Sequence, residues 1–249
     1  MRITLITACF NNASVIADNL ASVRSQESKP ALEHIFQDGG SSDGTLALLE
    51  SYKESVDYSV SIVSGQDQGF YDAINQGIAR ATGDVIGLLN ADDFLADEKV
   101  LAEVADAFGE DPELDVVYGD LDFVDEARDE GREARGNTSG LGTGERFKVV
   151  RKWRAGEFSP KKFRRGWVPP HPTIYMRRRV WEQVGEYRLD FGTSADYDWM
   201  LRLFMVNGFK IKYLPKVMVN MRVGGQSTGS LKNRLIANKN DRRAWEVNG

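Results

Sequence analysis

The 249-residue chain has a single cysteine, Cys9, which excludes an intrachain disulfide and a cysteine-rich zinc site and fits a reducing compartment. It has no apolar run near the ~20 residues that a membrane span requires. Its central run Val85-Ile86-Gly87-Leu88-Leu89 stops at Asn90. The opening Met1-Arg2-Ile3-Thr4-Leu5-Ile6-Thr7-Ala8 is too short and too broken for a signal peptide, and its alternation reads as a strand that begins the fold. Basic charge is in deficit, with 32 Lys and Arg against 37 Asp and Glu, a formal charge of -5. That balance argues against a general nucleic-acid binder. After the first strand the chain reads Thr7-Ala8-Cys9-Phe10-Asn11-Asn12, with neither Gly-x-Gly-x-x-Gly nor Gly-Lys-Ser/Thr. This argues against a dinucleotide dehydrogenase and a P-loop NTPase; a bound nucleotide must be held by carboxylates and a metal instead of a glycine cradle.

What is present suffices for a large core. Apolar residues make up 41% and charged residues 28%, which rules out wholesale disorder and suits one large α/β domain or two small ones. Over the first 120 residues, short apolar strands alternate with amphipathic helices. Strands are expected at Ile3–Ala8, Leu32–Phe36, Ser59–Ser64, Val85–Leu89 and Val116–Tyr118. Helices are expected from the spacing of Ile16, Leu20 and Val23, of Leu46, Leu49 and Tyr52, over Asp72–Ala81, and of Val100, Val104 and Phe108. This alternation predicts a mostly parallel sheet with helices on both faces and ligands at the carboxyl ends of its strands, where the polar clusters lie. Residues 1–120 and 121–249 read as two parts of a single domain. In the second part, Asp125–Gly144 is expected to be a mobile loop or insertion, Asp198–Val206 a final helix, and Ile211–Leu214 a strand before a basic tail.

Three clusters carry chemistry. Leu88-Leu89-Asn90-Ala91-Asp92-Asp93 brings two adjacent carboxylates to a strand end, where burying both unpaired is costly. A hard divalent cation with phosphate oxygens would relieve that cost; equally, the pair could cap the helix starting near Asp97 or Glu98. In Gln37-Asp38-Gly39-Gly40-Ser41-Ser42-Asp43-Gly44-Thr45, Asp43 or Ser42 reads as an N-cap. Asp38 sits too early to cap and can accept from a base N–H or a ribose hydroxyl. Thr193-Ser194-Ala195-Asp196-Tyr197-Asp198 offers carboxylates that cap a helix or take a proton. His171, between prolines in Val168-Pro169-Pro170-His171-Pro172-Thr173, suits a fixed polar contact, whereas His34 fits an alternating strand.

Taken in order, Thr7-Ala8-Cys9-Phe10-Asn11, Asp38-Gly39-Gly40-Ser41-Ser42-Asp43-Gly44-Thr45, Gln66-Asp67-Gln68-Gly69-Phe70-Tyr71-Asp72-Ala73-Ile74-Asn75 and Asn90-Ala91-Asp92-Asp93 resemble family 2 glycosyltransferases. The resemblance runs from about Arg2 to Arg222 and is strongest to the branch similar to colanic-acid transferases, which builds bacterial surface polysaccharides. It implies an α/β GT-A fold with a Rossmann-like, mostly parallel central sheet and a smaller acceptor-side C-terminal part. It implies inverting transfer from a nucleotide-diphosphate sugar, a UDP-sugar, to a saccharide hydroxyl, with Mg2+ or Mn2+ as cofactor. Thr7, Ala8, Cys9, Asn11 and Asp38 would hold base and ribose. Asp67 would lie against the nucleotide or donor sugar, with Tyr71, Asp72 and Asn75 behind it. Asn90, Ala91 and Asp92 would form the metal motif, with Asp92 as ligand and Asp93 supporting it, although Asn90 stands where the family has an acid. On the acceptor side, family members begin a helix with an acidic pair whose second member is the catalytic base. Asp196 matches that member and Ala195 replaces the first. His171, Trp167 and Arg222 would face acceptor or diphosphate, Arg222 from a loop running to Ser227 that folds over the diphosphate in relatives.

From Arg146 to Trp167 the charge inverts. Arg146, Lys148, Arg151, Lys152, Arg154, Lys161, Lys162, Arg164 and Arg165 are interleaved with Phe147, Trp153, Phe158, Phe163 and Trp167. On an anionic bilayer each cation contributes about 1 kcal/mol, with aromatics at headgroup depth. Such docking would place the protein at the inner face of the cytoplasmic membrane, beside an acceptor carried on a lipid diphosphate. The same stretch can equally be a solvated face whose aromatics pack inward, and no RNA-binding motif accompanies it. A sugar-1-phosphate nucleotidyltransferase would need a glycine-rich basic loop after the first strand, which is missing. A non-catalytic nucleotide-sugar-binding or scaffold protein of the same fold would account for Asn90 and Ala195.

Overall fold

The computed structural model describes residues 1–27, 31–127, 146–206, 208–224 and 231–248, with the side chains of 231–238 left aside. The expected insertion lies outside the described residues from 128 onward, as do Gly225, Gln226 and Ser227.

Four strands, β1 (Arg2–Cys9), β2 (Ala31–Asp38), β3 (Ser59–Ser64) and β4 (Val85–Leu88), pair in parallel in the order β3-β2-β1-β4. From their second residues onward β1 and β2 are buried on both faces, a state that requires cover on both sides of the sheet. The cover comes from α1 (Ile16–Arg24), α2 (Thr45–Glu54), α3 (Phe70–Ala79) and α4 (Val100–Glu110). Each buries the apolar stripe its spacing predicts, such as Ile16, Leu20 and Val23 in α1 or Val100, Val104 and Phe108 in α4. Burial of each large apolar side chain contributes about 1.5–3 kcal/mol.

Beyond β4 the sheet is mixed. A short antiparallel strand, β8 (Tyr175–Arg177), lies between β4 and β6 (Val116–Glu126), and β9 (Ile211–Arg222) runs parallel to β6. The pieces β5 (Phe94–Leu95) and β7 (Phe147–Trp153) pair antiparallel with β9 and β6. β6 runs to Glu126 instead of ending at Tyr118, and the expected division at 120/121 falls inside it. Its buried Asp120 and Asp122 break the apolar pattern and are paired with Arg154. β9 runs to Arg222 instead of Leu214, through Pro215.

The C-terminal helical layer consists of α5 (Pro160–Phe163), α6 (Arg178–Val184), α7 (Ala195–Leu201), which continues as a wider helical turn to Val206, and α8 (Leu231–Asn248). The expected helix at Asp198 therefore begins three residues earlier. α8 is tied to α7 and the preceding turn by Asn240 to Phe191 O (2.8 Å), Trp245 Nε1 to the Tyr197 hydroxyl (2.9 Å) and Asn248 to Asp198 (2.8 Å). In the basic segment, Phe163 is fully buried, and Phe158 and Trp167 pack on the same core. Among the described residues, no helix is long and apolar enough to cross a membrane.

Candidate active site

The parallel strands end together, so their outgoing loops form one edge, and the loops are cross-linked by their own polar groups. Gly39 N–H donates to Cys9 O (2.8 Å) and Gly65 N–H to Asp38 O (2.9 Å). Asn11, held at φ 53, donates its N–H to Ser41 Oγ (2.8 Å) and accepts from Ser42 N–H on Oδ1 (2.9 Å). Asp38 is fully buried, and its carboxylate receives Gly40 N–H, Ser41 N–H, the Ser41 hydroxyl and the Ser64 hydroxyl. These four donors match the roughly four acceptor sites of a carboxylate. Asp38 thus shapes the turn, and the side chain expected to meet base or ribose is engaged by the protein. Thr7 likewise turns inward, donating to Leu89 O (2.8 Å) and meeting His34 Nε2 (3.0 Å). Ala8 and Cys9 are buried, and burial beside Asp38 pushes the Cys9 thiol pKa well up, so the thiol stays protonated.

Asp67 carries the edge forward. Its Oδ1 accepts Gly69 N–H (2.8 Å), and its other oxygen lies so close to Gly39 that a Cβ there would stand 2.8 Å away. The glycine at 39 is what admits the carboxylate. Phe10 flanks the same glycine and is 61% exposed, and Phe70 at the head of α3 is 41% exposed. Among the described residues these are the two exposed large aromatic side chains, and both belong to this edge. Sequence reasoning quoted Phe10 within a motif without assigning it a role; a large aromatic in a polar strand-end loop was the available signal. The N-cap of α2 is Gly44, not Asp43 or Ser42, and Asp43, one residue ahead of it, accepts Thr45 N–H (3.1 Å) and the Thr45 hydroxyl (2.6 Å).

At the fourth loop the two adjacent acids separate in role. Asp93 is 1% exposed, accepts from Asn90 Nδ2 (2.7 Å) and Arg222 N–H (3.2 Å), and burial next to Asp92 raises its pKa well above the usual range. Asp92 is half-buried, and its carboxylate accepts no hydrogen bond from the described residues. Neither caps α4, whose approach is held by Asp97 accepting Lys99 N–H (2.8 Å). Asn90 is committed to Asp93, so the turn offers one free carboxylate. No cluster of three or more His, Cys, Asp or Glu stands ready for a metal among the described residues. A single hard oxygen donor fits a Mg2+ or Mn2+ ion that takes its other ligands from a diphosphate and water.

Arg222 clamps this turn from behind. Its Nε donates to Asp92 O (3.0 Å), its guanidinium pairs with Asp18 and with Glu126 (3.1 Å), and it lies over Phe147 at 4.7 Å. The guanidinium expected to face a diphosphate is bound to protein carboxylates instead. Trp167 is similarly engaged, donating Nε1–H to Ala155 O (2.7 Å) and packing on Tyr118 and Phe163.

α3 joins this edge to the acceptor side. Asn75 bonds both Tyr187 O (2.9 Å) and Tyr187 N–H (3.0 Å), so it locks a loop. Asp72 accepts Gln68 N–H (2.9 Å) and Gln76 Nε2 (2.9 Å), bracing the start of the helix. Tyr71 stacks on Tyr187 at 5.4 Å, and its hydroxyl is among the groups that hold down the Asp196 pKa against burial. Asp196 also accepts Tyr197 N–H (2.8 Å), and burial raises its pKa to about 6. His171 sits one layer behind, its Nε2 2.7 Å from the Tyr187 hydroxyl, and burial lowers its pKa to about 4. Its ring nitrogen is thus engaged by Tyr187. Tyr187 itself carried no motif. Asp198 is fully buried between Arg188 and Arg202 and holds the fold. A cleft of about 520 Å³ opens beside this group, lined by Asp72, Asn75, Tyr187, Arg188 and Arg202 among others.

Comparison with known proteins agrees with this layout. Residues 4–181 match the family model described as "Glycosyl transferase family 2". An uncharacterised glycosyltransferase of Mycobacterium tuberculosis is 30% identical over 205 residues, covering 82% of this chain and 69% of the relative. The crystal structure of residues 1–349 of Staphylococcus aureus TarS in complex with UDP-GlcNAc superposes with TM-score 0.66 at 17% identity, over 96% of this chain and 66% of that one. The mannosyltransferase PcManGT of Pyrobaculum calidifontis, in complex with GDP-Man and Mn2+, gives 0.63 at 18% identity, over 90% of this chain and 57% of that one. The chain thus spans under two thirds to about two thirds of these solved chains, and the likeness shows the shared fold. With the family model covering most of its length and solved glycosyltransferases sharing its fold, the chain belongs to glycosyl transferase family 2 and has the GT-A fold.

Proposed function

We propose that this protein is an inverting glycosyltransferase that moves a sugar from a nucleotide-diphosphate sugar, a UDP-sugar, to a hydroxyl of a saccharide acceptor. The single observation that carries the reading is Asp196, a carboxylate of pKa about 6 at the junction of the donor edge and the acceptor-side layer. A base of that pKa is ionised at neutral pH yet takes a proton readily. In the reaction, the acceptor hydroxyl gives its proton to Asp196 as its oxygen bonds to the anomeric carbon, the bond from that carbon to the diphosphate breaks on the opposite face, and the nucleoside diphosphate leaves with the electron pair. Phe10 offers its ring to the base, and Asp67 and Asn11 border the donor. Asp92 would hold a Mg2+ or Mn2+ ion, which when bound neutralises charge on the diphosphate. With Arg222 engaged elsewhere, that charge has no other described cation assigned to it.

We further infer that the acceptor is a saccharide carried on a lipid diphosphate at the inner face of the cytoplasmic membrane, as the resemblance to the branch similar to colanic-acid transferases implies. Support comes from the exposed basic strip of β7, where Lys148, Arg151 and Lys152 flank Val149 and Val150, 41% and 51% exposed, together with the exposed Lys161, Arg164 and Arg165. Arg146 and Arg154 are paired with acids and do not add to it. The test is nucleotide release from UDP- and GDP-sugars over a panel of lipid-linked and soluble saccharides, with and without anionic vesicles. Turnover that Asp196→Asn abolishes supports transfer. Donor binding without turnover on any acceptor would favour a non-catalytic binding protein, for which Asn90 and Ala195 argue.

A further inference from the structure

The turn that carries Asp92 is gripped by three elements, while the Asp92 carboxylate accepts no hydrogen bond from the described residues. Leu89 and Asn90, just ahead of Ala91-Asp92, each offer their carbonyl to a fully buried side chain from elsewhere in the fold. Thr7, from β1, donates its hydroxyl to Leu89 O at 2.8 Å. Asn19, from α1, donates Nδ2–H to Asn90 O at 2.8 Å. Arg222, from β9, donates Nε–H to the carbonyl of Asp92 itself at 3.0 Å. Further along α1, Ser22 Oγ accepts Leu95 N–H (3.1 Å), and Gln26, just past the helix, bonds Asp97 O (2.6 Å) and Leu101 N–H (2.9 Å).

The Asn19 bond is not needed to satisfy the turn, because Asn90 O already accepts Asp93 N–H at 3.0 Å. Asn19 stands in the buried stripe of α1 with Ile16, Leu20 and Val23, and its Oδ1 has no hydrogen-bond partner among the described residues. A buried amide with one end unpaired costs stability; what its other end supplies is the direction of the Asn90 peptide. Thr7 is oriented by a directional relay. Its one hydroxyl proton goes to Leu89 O, so toward His34 Nε2, 3.0 Å away, it can only accept. His34 therefore carries its proton on Nε2. Nδ1 is left to accept from the Tyr52 hydroxyl (3.3 Å), which meets the Tyr58 hydroxyl on its other side. Burial keeps the ring neutral, lowering its pKa to about 3, so one tautomer sets the sense of the relay.

We infer that Thr7 and Asn19 are positioning residues for Asp92: by fixing the two peptide units ahead of it, they hold its carboxylate preorganised for a diphosphate-bound Mg2+ or Mn2+ ion. The inference rests on the reading of Asp92 as the metal ligand. Outer partners that orient a ligand are worth about 10- to 100-fold in metal affinity.

Two readouts on the full chain test it. The first needs no metal. The ring nitrogens of His34 are followed by nitrogen-15 NMR, their signals assigned by loss in His34→Gln. The Nε2–H tautomer is expected; the Nδ1–H tautomer would mean that Thr7 donates to His34 instead of Leu89 O, and would overturn its assignment. The second is calorimetric titration of UDP with and without Mn2+. Thr7→Val, which keeps the shape and removes the hydroxyl, and Asn19→Ala should each weaken Mn2+-dependent binding by about 10- to 100-fold and leave metal-free binding within about twofold. Thr7→Ser, which restores the hydroxyl, should return the affinity to within about threefold of wild type. Wild-type affinity in both Thr7→Val and Asn19→Ala overturns the inference. So does an equal loss with and without Mn2+, which is what mere support of the fold would give. If wild type itself binds UDP with no dependence on Mn2+, and Asp92→Ala binds it equally, the reading of Asp92 as the ligand fails and the inference falls with it.

Discussion

At the scale of single residues, the proposed reaction gives separate tasks to Asp196 and Asp92, and each has a separate signature. Asp196 must be ionised to accept a proton, so turnover should rise through about pH 6 and level off above it. Asp196→Asn should cut turnover by about 10²- to 10⁴-fold while donor affinity stays within twofold to threefold, as isothermal titration against nucleotide would show. Arg222 illustrates the opposite outcome. Sequence resemblance placed its charge on the leaving group, but Asp18 and Glu126 neutralise it within the protein. Arg222→Ala should therefore lower stability by about 2 kcal/mol, less than for a fully buried pair, and loosen the Asn90–Asp93 turn. Chemical denaturation of the two proteins checks this, and an unchanged midpoint would show that the clamp contributes nothing. The places of Asp92 and Asp196 in the fold were legible because strand-end and helix-start positions follow from local pattern, whereas the roles proposed for them come from the family resemblance. The engagement of Arg222 and Thr7 was not legible, since their partners lie far away in sequence, Arg222 being 204 residues from Asp18, while Asp38 is held by its own turn through Gly40 and Ser41 and by the distant Ser64.

At the scale of elements, α3 is the hub. One turn of it supplies Tyr71 to the Tyr187 ring and Asp72 to its own start, and the next supplies Asn75 to the Tyr187 loop. Its seating on β1 depends on Gly77, where an added Cβ would lie 2.6 Å from Ile6 Cγ2. Gly77→Ala should destabilise the protein by about 1–3 kcal/mol through overpacking. It should also depress turnover beyond what the loss of folded protein explains, because α3 carries the groups behind Asp196. Activity per folded molecule, measured below the unfolding transition, separates the two effects. The parallel strands could be read because a buried strand is apolar throughout and its helix keeps a regular stripe. β6 and β9 were read short for a physical reason. Asp120 and Asp122 look like a loop until Arg154 is seen to pair with them, and Pro215 looks like a stop. β8 and β5, three and two residues long, are too short to show a period. β7 is exposed along most of its length and alternates no apolar face.

At the scale of the whole molecule, one sheet passes from the donor edge to the acceptor side, with β8 and β6 continuing the order begun by β3-β2-β1-β4. The two histidines sit one in each half of this structure, and burial lowers His34 to about 3 and His171 to about 4. Folded-state values below the unfolded one mean that the native protein binds fewer protons in acid. Their stabilisation is complete above about pH 6.5 and is lost as the pH falls toward the folded values. Raised carboxyls such as Asp196 act in the opposite sense, so the clean comparison is between variants. His34→Gln should flatten the fall of unfolding free energy between pH 6 and 4 by about 1.4 kcal/mol per pH unit relative to wild type. Parallel slopes would mean that His34 is not held neutral by the core. The central claim, that this sheet edge and Asp92 bind a nucleoside diphosphate through a divalent metal, is tested most directly by calorimetric titration. UDP, GDP and dTDP would each be titrated into wild type and Asp92→Ala, with and without Mn2+. The account predicts Mn2+-dependent binding of UDP that Asp92→Ala loses; absence of binding by every nucleotide, with and without metal, would contradict it.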